Sequence, residues 1–372
     1  MLRIERIGLR EIRLPLKEPF RISSGVTSQR RILLIELTDG DGLTGWGECV
    51  AGERPNFSPE TIDTAWHAIS EWAVPVVLGR EFEDPTALSE ALHRAFRGHL
   101  MAKAAIEMPS WHIAALREEK PLAAVLGGTR EKVATGISLG IQERPADLVE
   151  RAARARDEGY RRIKLKIEPG ADLEYVAAVR EELGPDVPLS VDANSAYTLA
   201  DRDTLKELDR FGLLMIEQPL EREDLVRHAE LQRVLETPIC LDESITGPDR
   251  AEDMVTLGSG RMINIKPGRV GGLTRSVAIH DIARQAGIPV WHGGMLESGI
   301  GRAYNVALAS LSNFELPGDL SPSSRYWERD IVTPEWTMDN QGWVTVPRGE
   351  PGLGVSVDLD RVDDLTVRSA TL

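Results

Sequence analysis

Residues 162–167 read Arg-Ile-Lys-Leu-Lys-Ile, so that basic and apolar side chains alternate along the segment. Side chains two positions apart lie on the same face of a β-strand. The apolar face of a strand in a parallel sheet packs against the surrounding helices. Lys164 and Lys166 should therefore point to the opposite face, into the lumen of a closed sheet, where lysines are rare unless they are paired or functional.

Similar short apolar runs recur along the chain, and amphipathic helical stretches lie between them. The predicted strands cover residues 134–139, 163–167, 188–191, 213–216, 238–241, 262–265 and 288–291. Five successive strands end in a charged residue, with steps of 26, 25, 25 and 24 between Lys166, Asp192, Glu217, Asp242 and Lys266. Such equal strand–helix units predict an α/β fold with a (β/α)7β barrel of the TIM type, because an open doubly wound sheet tolerates irregular units.

The region before the barrel has a different pattern. Residues 4–16 and 31–37 alternate like strands, and residues 58–116 have a helical period. Strands followed by helices predict an α+β domain. We place this capping domain at residues 1–125 and the barrel at residues 126–318.

The C-terminal segment, residues 319–372, lacks the repeating strand–helix pattern. It contains two strand-like pieces, at residues 343–346 and 365–367. We expect this segment to return to the capping domain and to pack with it.

The composition is that of an ordinary globular protein and excludes several classes. The chain has 372 residues, of which 42% are hydrophobic and 28% charged, and its formal net charge is −15. Such an acidic chain lacks the basic surface that general nucleic-acid binding requires. It has two cysteines, too few for a disulfide framework, and no apolar run that approaches a membrane span. We expect a cytoplasmic homo-oligomer with no nucleic-acid partner and no membrane partner.

Asp192, Glu217 and Asp242 lie at the ends of three neighbouring predicted strands. Active sites of such barrels form at the carboxyl ends of the strands. A single acid at such a position is more often a solvated loop residue or a helix cap, but three at equal spacing favour a metal site. Three carboxylates at one mouth would repel one another without a cation, and hard oxygen ligands suit Mg²⁺, with Mn²⁺ as a substitute.

Lys266 follows a strand on the far side of the predicted barrel from Lys166, with the acids along the wall between them. A proton α to a carboxylate is weakly acidic, because its removal leaves an enediolate with additional negative charge that a bound metal would stabilise. We expect Mg²⁺ and the neighbouring lysines together to lower the lysine pKa values, so that Lys166 acts as the base while Lys164 stabilises the carboxylate. The alternative role for the lysines is salt bridging to the barrel acids, which is compatible with catalysis.

The pattern Lys-x-Lys, Asp, Glu, Asp and Lys on five successive strands resembles the muconate lactonising subgroup of the enolase superfamily. Longer stretches are similar to the family of o-succinylbenzoate synthases and N-succinylamino acid or N-acylamino acid racemases. These stretches are GECVA at 47–51, PNFSPET at 55–61, NIKPGRVGG at 264–272, WHGGMLESGIGRA at 291–303 and LPGDLS at 316–321. The resemblance covers nearly the whole chain.

This resemblance implies a cap over the barrel mouth, formed by the first domain and the C-terminal tail, and a small carboxylate substrate with a succinyl arm. In a synthase, Lys166 removes a proton and protonates the departing hydroxyl, giving o-succinylbenzoate on the route to menaquinone, while Lys266 acts as a stabilising cation. In a racemase, Lys166 and Lys266 exchange a proton across the α-carbon. Relatives commonly carry Tyr where this chain has Phe57, so the polar contact of that position is in doubt.

Several residues are candidates for substrate contact. They are Phe20, Phe57, Ser138, Lys164, Asn194, Arg269, Gly293, Gly294 and Met295. Each has an ordinary alternative role, such as a packed strand serine for Ser138, a helix cap for Arg269 or an apolar staple in a cap loop for Phe20. Glu243 is a candidate support for the metal ligands, and His292 is predicted to be a packed strand-end residue.

Other activities of the same barrel remain open. A muconate cycloisomerase or a dipeptide epimerase would share the metal and the lysines, although dipeptide epimerases usually carry Asp-x-Asp where this chain has Asp319-Leu320-Ser321. A barrel used only as a binding protein would not need intact lysines and acids. A metal-dependent aldolase would not explain lysines on both faces of the site.

Overall fold

The structure is a computed structural model that describes residues 1–23 and 25–372. The strands in chain order are β1 (Leu2–Ile22), β2 (Gly25–Asp39), β3 (Thr44–Cys49), β4 (Glu81–Phe82), β5 (Lys132–Ala134), β6 (Ile137–Leu139), β7 (Ile163–Lys166), β8 (Leu189–Asp192), β9 (Ile216–Glu217), β10 (Ile239–Leu241), β11 (Met262–Ile265), β12 (Val290–His292), β13 (Val332–Thr333), β14 (Trp343–Thr345), β15 (Ser356–Val357) and β16 (Thr366–Thr371).

The α-helices in chain order are α1 (Ile62–Ala68), α2 (Val74–Val77), α3 (Pro85–Ala95), α4 (Leu100–Arg117), α5 (Leu122–Val125), α6 (Pro145–Asp157), α7 (Leu173–Leu183), α8 (Arg202–Glu207), α9 (Leu225–Gln232), α10 (Pro248–Leu257), α11 (Pro267–Val270), α12 (Leu273–Gln285), α13 (Gly299–Ala309) and α14 (Leu359–Leu365). None of the helices formed by the described residues combines the length and apolar character needed to cross a bilayer.

Strands β6 to β12 form one parallel sheet in which neighbours in the chain are neighbours in space. Residues 314–319 close this sheet, since Phe314 bridges to Val290 of β12 and Gly318 bridges to Thr135 beside β6. The Gly318 amide donates to the Ala134 carbonyl at 3.0 Å, and the Gly136 amide donates to the Gly318 carbonyl at 2.7 Å. The predicted (β/α)7β barrel is therefore confirmed, with residues 314–319 in the eighth position.

The register of the barrel brings its charged strand ends to one level. Lys166 pairs with Asp192, and Asp192 pairs with Glu217 on the next strand. The apolar neighbours Ile163 and Leu165 are buried in the core that the barrel shares with its outer helices. The alternation along β7 thus separates a hydrophobic outer face from a charged lumen, because successive side chains of a strand point to opposite faces.

Two details differ from the prediction. Residues 134–139 form two strands, β5 and β6, because the chain bends between them. Strand β5 pairs antiparallel with β14, whereas β16 pairs antiparallel with β1. The expectation that residues 343–346 pack with the first domain is therefore wrong, since that piece pairs beside the barrel. The division at residues 125 and 318 stays a prediction.

The cap contains the antiparallel sheet β16-β1-β2-β3. Strands β1 and β2 form a long hairpin, paired from Ile4 with Asp39 to Ile22 with Gly25. Phe20 lies within β1, opposite Thr27, and not in the loop that we predicted. Helix α4 lies close against β3 because Gly47 has no side chain: a Cβ there would be 2.6 Å from Cδ of Pro109.

Buried glutamates join the cap to the barrel at helix N-termini. Glu48 of β3 accepts hydrogen bonds from the Ser298 amide at 3.1 Å and the Gly301 amide at 3.0 Å, at the start of α13. Glu107 of α4 accepts from the Leu273 amide at 2.9 Å, at the start of α12. Free amides and the helix dipole make this position favourable for an anion.

We expect Glu48 to make the stability of the fold pH-dependent. Burial raises the pKa of Glu48 to about 7, against hydrogen bonds from Ser298 that lower it. When folding raises the pKa of an acid, the acid contributes its full share to the stability of the fold at pH values below its pKa in the unfolded chain. That contribution is lost as the pH rises through the pKa of the acid in the folded protein. The free energy of unfolding should thus fall by roughly 3 kcal/mol between pH values of about 4 and 7 relative to Glu48→Gln. Denaturant titrations of both proteins measure the difference, and parallel pH profiles would contradict it.

Candidate active site

Three buried acids line one side of the barrel mouth. Asp192 ends β8, Glu217 ends β9 and Asp242 directly follows β10. Each is 1% exposed or less. The chain turns sharply after the first two, since Asn194 and Gln218 have φ values of 43° and 38° in the left-handed region. These turns end the strands and leave the carboxylates facing the mouth.

Lysines approach these acids from opposite sides. On the second strand of the barrel, Lys166 Nζ donates to Asp192 Oδ2 at 2.6 Å and to Asn194 Oδ1 at 2.7 Å. After the sixth strand, Lys266 Nζ donates to Asp242 Oδ2 at 2.6 Å. Four positions separate these strands in an eight-membered barrel, so the two lysines stand across the mouth from each other.

Lys164 lies one layer deeper, among three carboxylates. Its Nζ donates to Glu217 Oε2 at 2.7 Å and lies 3.3 Å from Asp192 Oδ2 and 3.2 Å from Asp319 Oδ2. It also lies 4.5 Å from the ring centroid of Trp291, close enough for a cation–π contact. The alternative role predicted for the lysines was salt bridging to the barrel acids. The structure contains these salt bridges.

The carboxylates of the site raise the pKa values of two lysines. Burial lowers the pKa of Lys164, but the carboxylates of Asp319 and Glu217 outweigh burial and raise it. Burial likewise lowers the pKa of Lys266, and Asp242 outweighs it, so the net direction is upward. For these two groups the acids contribute more than the neighbouring cations of the protein, and the lowering expected from Mg²⁺ together with those cations stays a prediction.

Two glutamates of the site have raised pKa values, which indicates that the lysines do not fully balance the negative charge of the carboxylates. Burial and the Asp192 carboxylate raise the pKa of Glu217 to about 7, although Lys164 lowers it. Burial and the Asp242 carboxylate raise the pKa of Glu243 to about 8. Neighbouring carboxylates raise the pKa of an acid because their negative charges repel. An additional cation at this place would favour the ionised form of all of them, as expected for a metal site.

The donor set fits Mg²⁺ in chemical kind, because carboxylate oxygens are the ligands that it prefers. Within residues 1–23 and 25–372, no three His, Cys, Asp or Glu side chains form a ready cluster for a metal ion. The ammonium group of Lys164 lies between two of the acids, 3.3 Å from Asp192 Oδ2 and 2.7 Å from Glu217 Oε2. Asp192, Glu217 and Asp242 remain the residues that would hold the ion.

Arg269, a predicted substrate contact, is bonded to the protein itself beside Asp242. It is buried, and its Nη1 donates to Asp242 Oδ1 while its Nε donates to the Ile245 carbonyl at 2.8 Å. Its Nη2 donates to the Asn264 carbonyl. All three nitrogens are bonded to protein atoms, so Arg269 positions Asp242, and its contact with a substrate stays a prediction.

Asp319 and Arg162 were missed as site residues from the sequence. Asp319 follows the closing segment, accepts from Arg162 and Ser138, and contacts Lys164. Arg162 is fully buried and also lies over Trp291, at 4.3 Å from the ring centroid. The signal for Arg162 was present, since it shares the lumen-facing side of β7 with both lysines.

Comparison with known proteins agrees with this architecture. Residues 147–362 match the family described as Enolase C-terminal domain-like, and residues 6–127 match Mandelate racemase / muconate lactonizing enzyme, N-terminal domain. The chain belongs to the enolase superfamily. The family resemblance seen in the sequence is thereby confirmed.

Full-length relatives of this enolase superfamily member carry two different names. The chain is 49% identical to the o-succinylbenzoate synthase of Geobacillus kaustophilus, over 98% of this chain and 96% of that protein. It is also 49% identical to the N-succinylamino acid racemase of Thermus thermophilus, over 98% of each chain. A crystal structure of an enolase superfamily member from Listeria innocua matches with a TM-score of 0.96 and 39% identity, covering 100% of this chain and 99% of that one.

In this enolase superfamily fold, the cap supplies the aromatic candidates, and one of them contacts a lysine of the barrel mouth. The Phe57 ring lies over Lys266, with Nζ 4.7 Å from the ring centroid. Phe20 is half-buried and lines a depression beside the β1–β2 hairpin. Met295 packs against the hydrophobic core of the cap. Phe57 is therefore the cap residue among these with a direct contact to a candidate proton carrier.

The remaining candidates have mainly structural neighbours. A Cβ on Gly293 would lie 2.5 Å from Lys266 Cε, so this glycine makes room for the lysine, and Gly294 lies against Asp319. His292 is fully buried, and burial lowers its pKa to about 4, so it is neutral at physiological pH. Glu243 accepts from Asn194 Nδ2 at 2.8 Å.

Proposed function

We propose that this chain is a Mg²⁺-dependent enzyme that removes a proton α to a carboxylate, as an o-succinylbenzoate synthase, an N-succinylamino acid racemase or both. The observation that carries the proposal is the placement of Lys166 and Lys266 across the barrel mouth, each bonded to a different acid. The two names carried by full-length relatives at 49% identity support the substrate class, a small carboxylate with a succinyl arm.

The protein's own residues divide the chemistry between them. Lys166 removes the α-proton from one face of the substrate, and Lys164 places its ammonium group beside the substrate carboxylate. In racemisation Lys266 delivers a proton to the opposite face. In the dehydration, Lys166 returns its proton to the departing hydroxyl while Lys266 stays protonated as a cation. When bound, Mg²⁺ supplies positive charge that stabilises the developing enediolate and offsets the carboxylates that raise the pKa values of Lys164 and Lys266.

Other parts of the proposal rest on less direct support. Ser138, Asn194, Gly293, Gly294, Met295, Phe20 and Phe57 are proposed to surround the substrate, and Mn²⁺ is proposed to replace Mg²⁺. We also propose a cytoplasmic homo-oligomer that serves menaquinone synthesis where the synthase reaction is used. The capping role of residues 1–125 and 319–372 belongs to the same proposal.

The test combines two assays on one enzyme preparation with Mg²⁺. Proton NMR of N-succinyl-L-phenylalanine in D₂O follows loss of the α-proton signal, while polarimetry follows racemisation. Ultraviolet absorbance follows formation of o-succinylbenzoate from its hydroxycyclohexadiene precursor, which becomes aromatic by loss of one water. Activity in either assay that is lost with a chelator and restored by Mg²⁺ supports the proposal. Activity that persists without metal, or its absence in both assays, contradicts it.

Asp319→Asn is expected to lower kcat/KM by about 10- to 100-fold, because it removes the negative charge that holds Lys164 and Arg162. The unpaired Arg162 should also destabilise the fold by about 3 kcal/mol. Steady-state kinetics and thermal unfolding measure the two effects. Asp203→Asn is the matched control, since it makes the same change in a side chain that is 91% exposed and lies beside Arg202 on the surface. Unchanged kcat/KM in Asp319→Asn would remove this residue from the site.

A further inference from the structure

A groove lies on the outer side of the barrel wall, between the cap hairpin and helix α6. Its volume is about 310 Å³, and it is bordered by residues 17–18 of β1, by α6 and by residues 322–325. A smaller depression of about 130 Å³ lies beside it and shares Arg151 and Arg325 as lining residues. The lysines and acids of the candidate active site do not line either space.

The groove is cationic in an otherwise acidic protein. Lys17, Arg151, Arg154 and Arg325 line it, against the two carboxylates of Glu18 and Glu158. The whole chain has a net charge of −15. A local excess of positive charge on such a surface attracts anions to this place.

Two of these cations have no carboxylate partner. Arg151 donates to Glu18 at 2.8 Å, and Arg154 donates to Glu150 at 2.8 Å. In the part of the chain that the structure describes, neither Lys17 nor Arg325 has an acid within 4 Å. Arg151 lowers the pKa of Glu18 through its hydrogen bond, and Arg325 and Arg154 add to this lowering. Lys17 and three guanidinium groups thus stand against the carboxylates of Glu18, Glu158 and the Glu150 partner of Arg154, which leaves a net positive charge for a ligand.

The floor of the groove is apolar. Ile137 and Leu139 of β6 line it, together with Ala155 and the largely buried Tyr160. We propose that the groove binds a small organic dianion, a phosphate monoester or a dicarboxylate with a short apolar body. Guanidinium groups recognise both kinds of head group through paired, charge-assisted hydrogen bonds. The apolar body would cover the side chains of β6.

The position of the groove connects it to the barrel mouth. Ile137 and Leu139 flank Ser138, whose side chain faces the lumen and donates to Asp319 at 3.1 Å. The hairpin that borders the groove continues to Arg21, whose carbonyl accepts from the Ile141 amide at 3.1 Å. A bound dianion would fasten this hairpin to α6. The proposed site does not depend on the proposed reaction.

Isothermal titration calorimetry with phenyl phosphate and with phthalate, at constant ionic strength, tests the proposal and separates phosphate from carboxylate ligands. The groove variant is Lys17→Ala/Arg325→Ala. The matched control is Lys206→Ala/Arg233→Ala, which removes the same charge from exposed positions elsewhere. Lys266→Ala serves as a barrel-mouth variant. Constant ionic strength is needed because exposed charges are screened by salt.

We expect saturable binding of at least one anion to the wild type, the control and Lys266→Ala, with similar Kd values. The groove variant should raise Kd by about tenfold or more. Equal Kd values in the groove variant and its control would overturn the proposal, as would absence of saturable binding. Loss of binding in Lys266→Ala would place the anion at the barrel mouth instead. If the double variant does not fold, Arg325→Gln replaces it in the same comparison.

Discussion

Lys166→Ala is expected to abolish o-succinylbenzoate formation and racemisation, lowering kcat by roughly 10³-fold. Lys166 is the residue that reaches one face of the mouth from β7, where it is bonded to Asp192 and Asn194. Lys266 stands across the barrel beside Asp242 and cannot take a proton from that face. An enzyme that lacks one of the two lysines should therefore lose every reaction that needs both faces.

The α-proton itself should behave differently from the overall reaction. In Lys166→Ala, Lys266 still faces one side of the substrate, so one enantiomer should exchange its α-proton with D₂O without inversion. Proton NMR of the separate D and L forms of N-succinyl-phenylalanine measures this. Lys266→Ala should show the same one-sided exchange for the opposite enantiomer. Lys132→Ala, an exposed lysine paired with Asp339, is the control for the loss of an amine.

Full racemase activity in either lysine variant would sink the assignment of the two faces. Exchange of both enantiomers in Lys166→Ala would mean that a different group acts as base. Unchanged folding must accompany the kinetics, because Lys166 is 9% exposed and its removal leaves Asp192 with one lysine fewer. Circular dichroism and thermal unfolding supply that check.

Glu217→Gln is expected to weaken Mg²⁺ binding and to lower kcat/KM by roughly 10²-fold or more. Glu217 is fully buried, accepts from Lys164 at 2.7 Å and from Asn264 Nδ2 at 2.7 Å, and burial raises its pKa to about 7. The amide keeps the shape of the side chain and removes the charge that a divalent ion would neutralise. Electron paramagnetic resonance of Mn²⁺ titrations measures metal affinity, and activity against Mg²⁺ concentration measures its consequence.

Glu243→Gln provides a graded comparison for this experiment. Glu243 lies beside Asp242 in the chain and contacts Asn194, so its loss should weaken metal binding by about tenfold through positioning alone. We expect metal affinity to fall more in Glu217→Gln than in Glu243→Gln. Wild-type metal affinity in Glu217→Gln would exclude this residue from the ligand set.

The barrel could be predicted from the sequence because its repeat is strict. Each of the predicted strands has a counterpart in the parallel sheet, and the spacing of charged strand ends corresponds to one residue per strand around the mouth. The alternation along β7 gave the correct face for Lys164, because side-chain direction in a strand follows from local geometry alone.

Features that depend on long-range contacts could not be predicted. Residues 314–319 close the barrel, although their sequence lacks the alternation of a strand. Asp319 was therefore considered only in the comparison with the Asp-x-Asp motif of dipeptide epimerases, which this chain lacks. The pairing of β14 with β5 joins residues about 200 positions apart, which local patterns do not reveal. The raised pKa of Lys164 depends on carboxylates from three other segments of the chain.

Proton transfer is assigned to the barrel alone, whereas part of the substrate contact is assigned to the cap, which is an earlier stretch of the sequence. The lysines and most of the acids lie at strand ends between residues 164 and 266, with Asp319 beside them, whereas Phe57 contacts Lys266 from the cap. Substitutions can accumulate in the cap segments without disturbing the acid–base set, so evolution can retarget the enzyme while its chemistry persists. Such independent change of the cap and the barrel would produce relatives that differ in name at the same distance from this chain. The synthase and the racemase that are each 49% identical to it are such a pair.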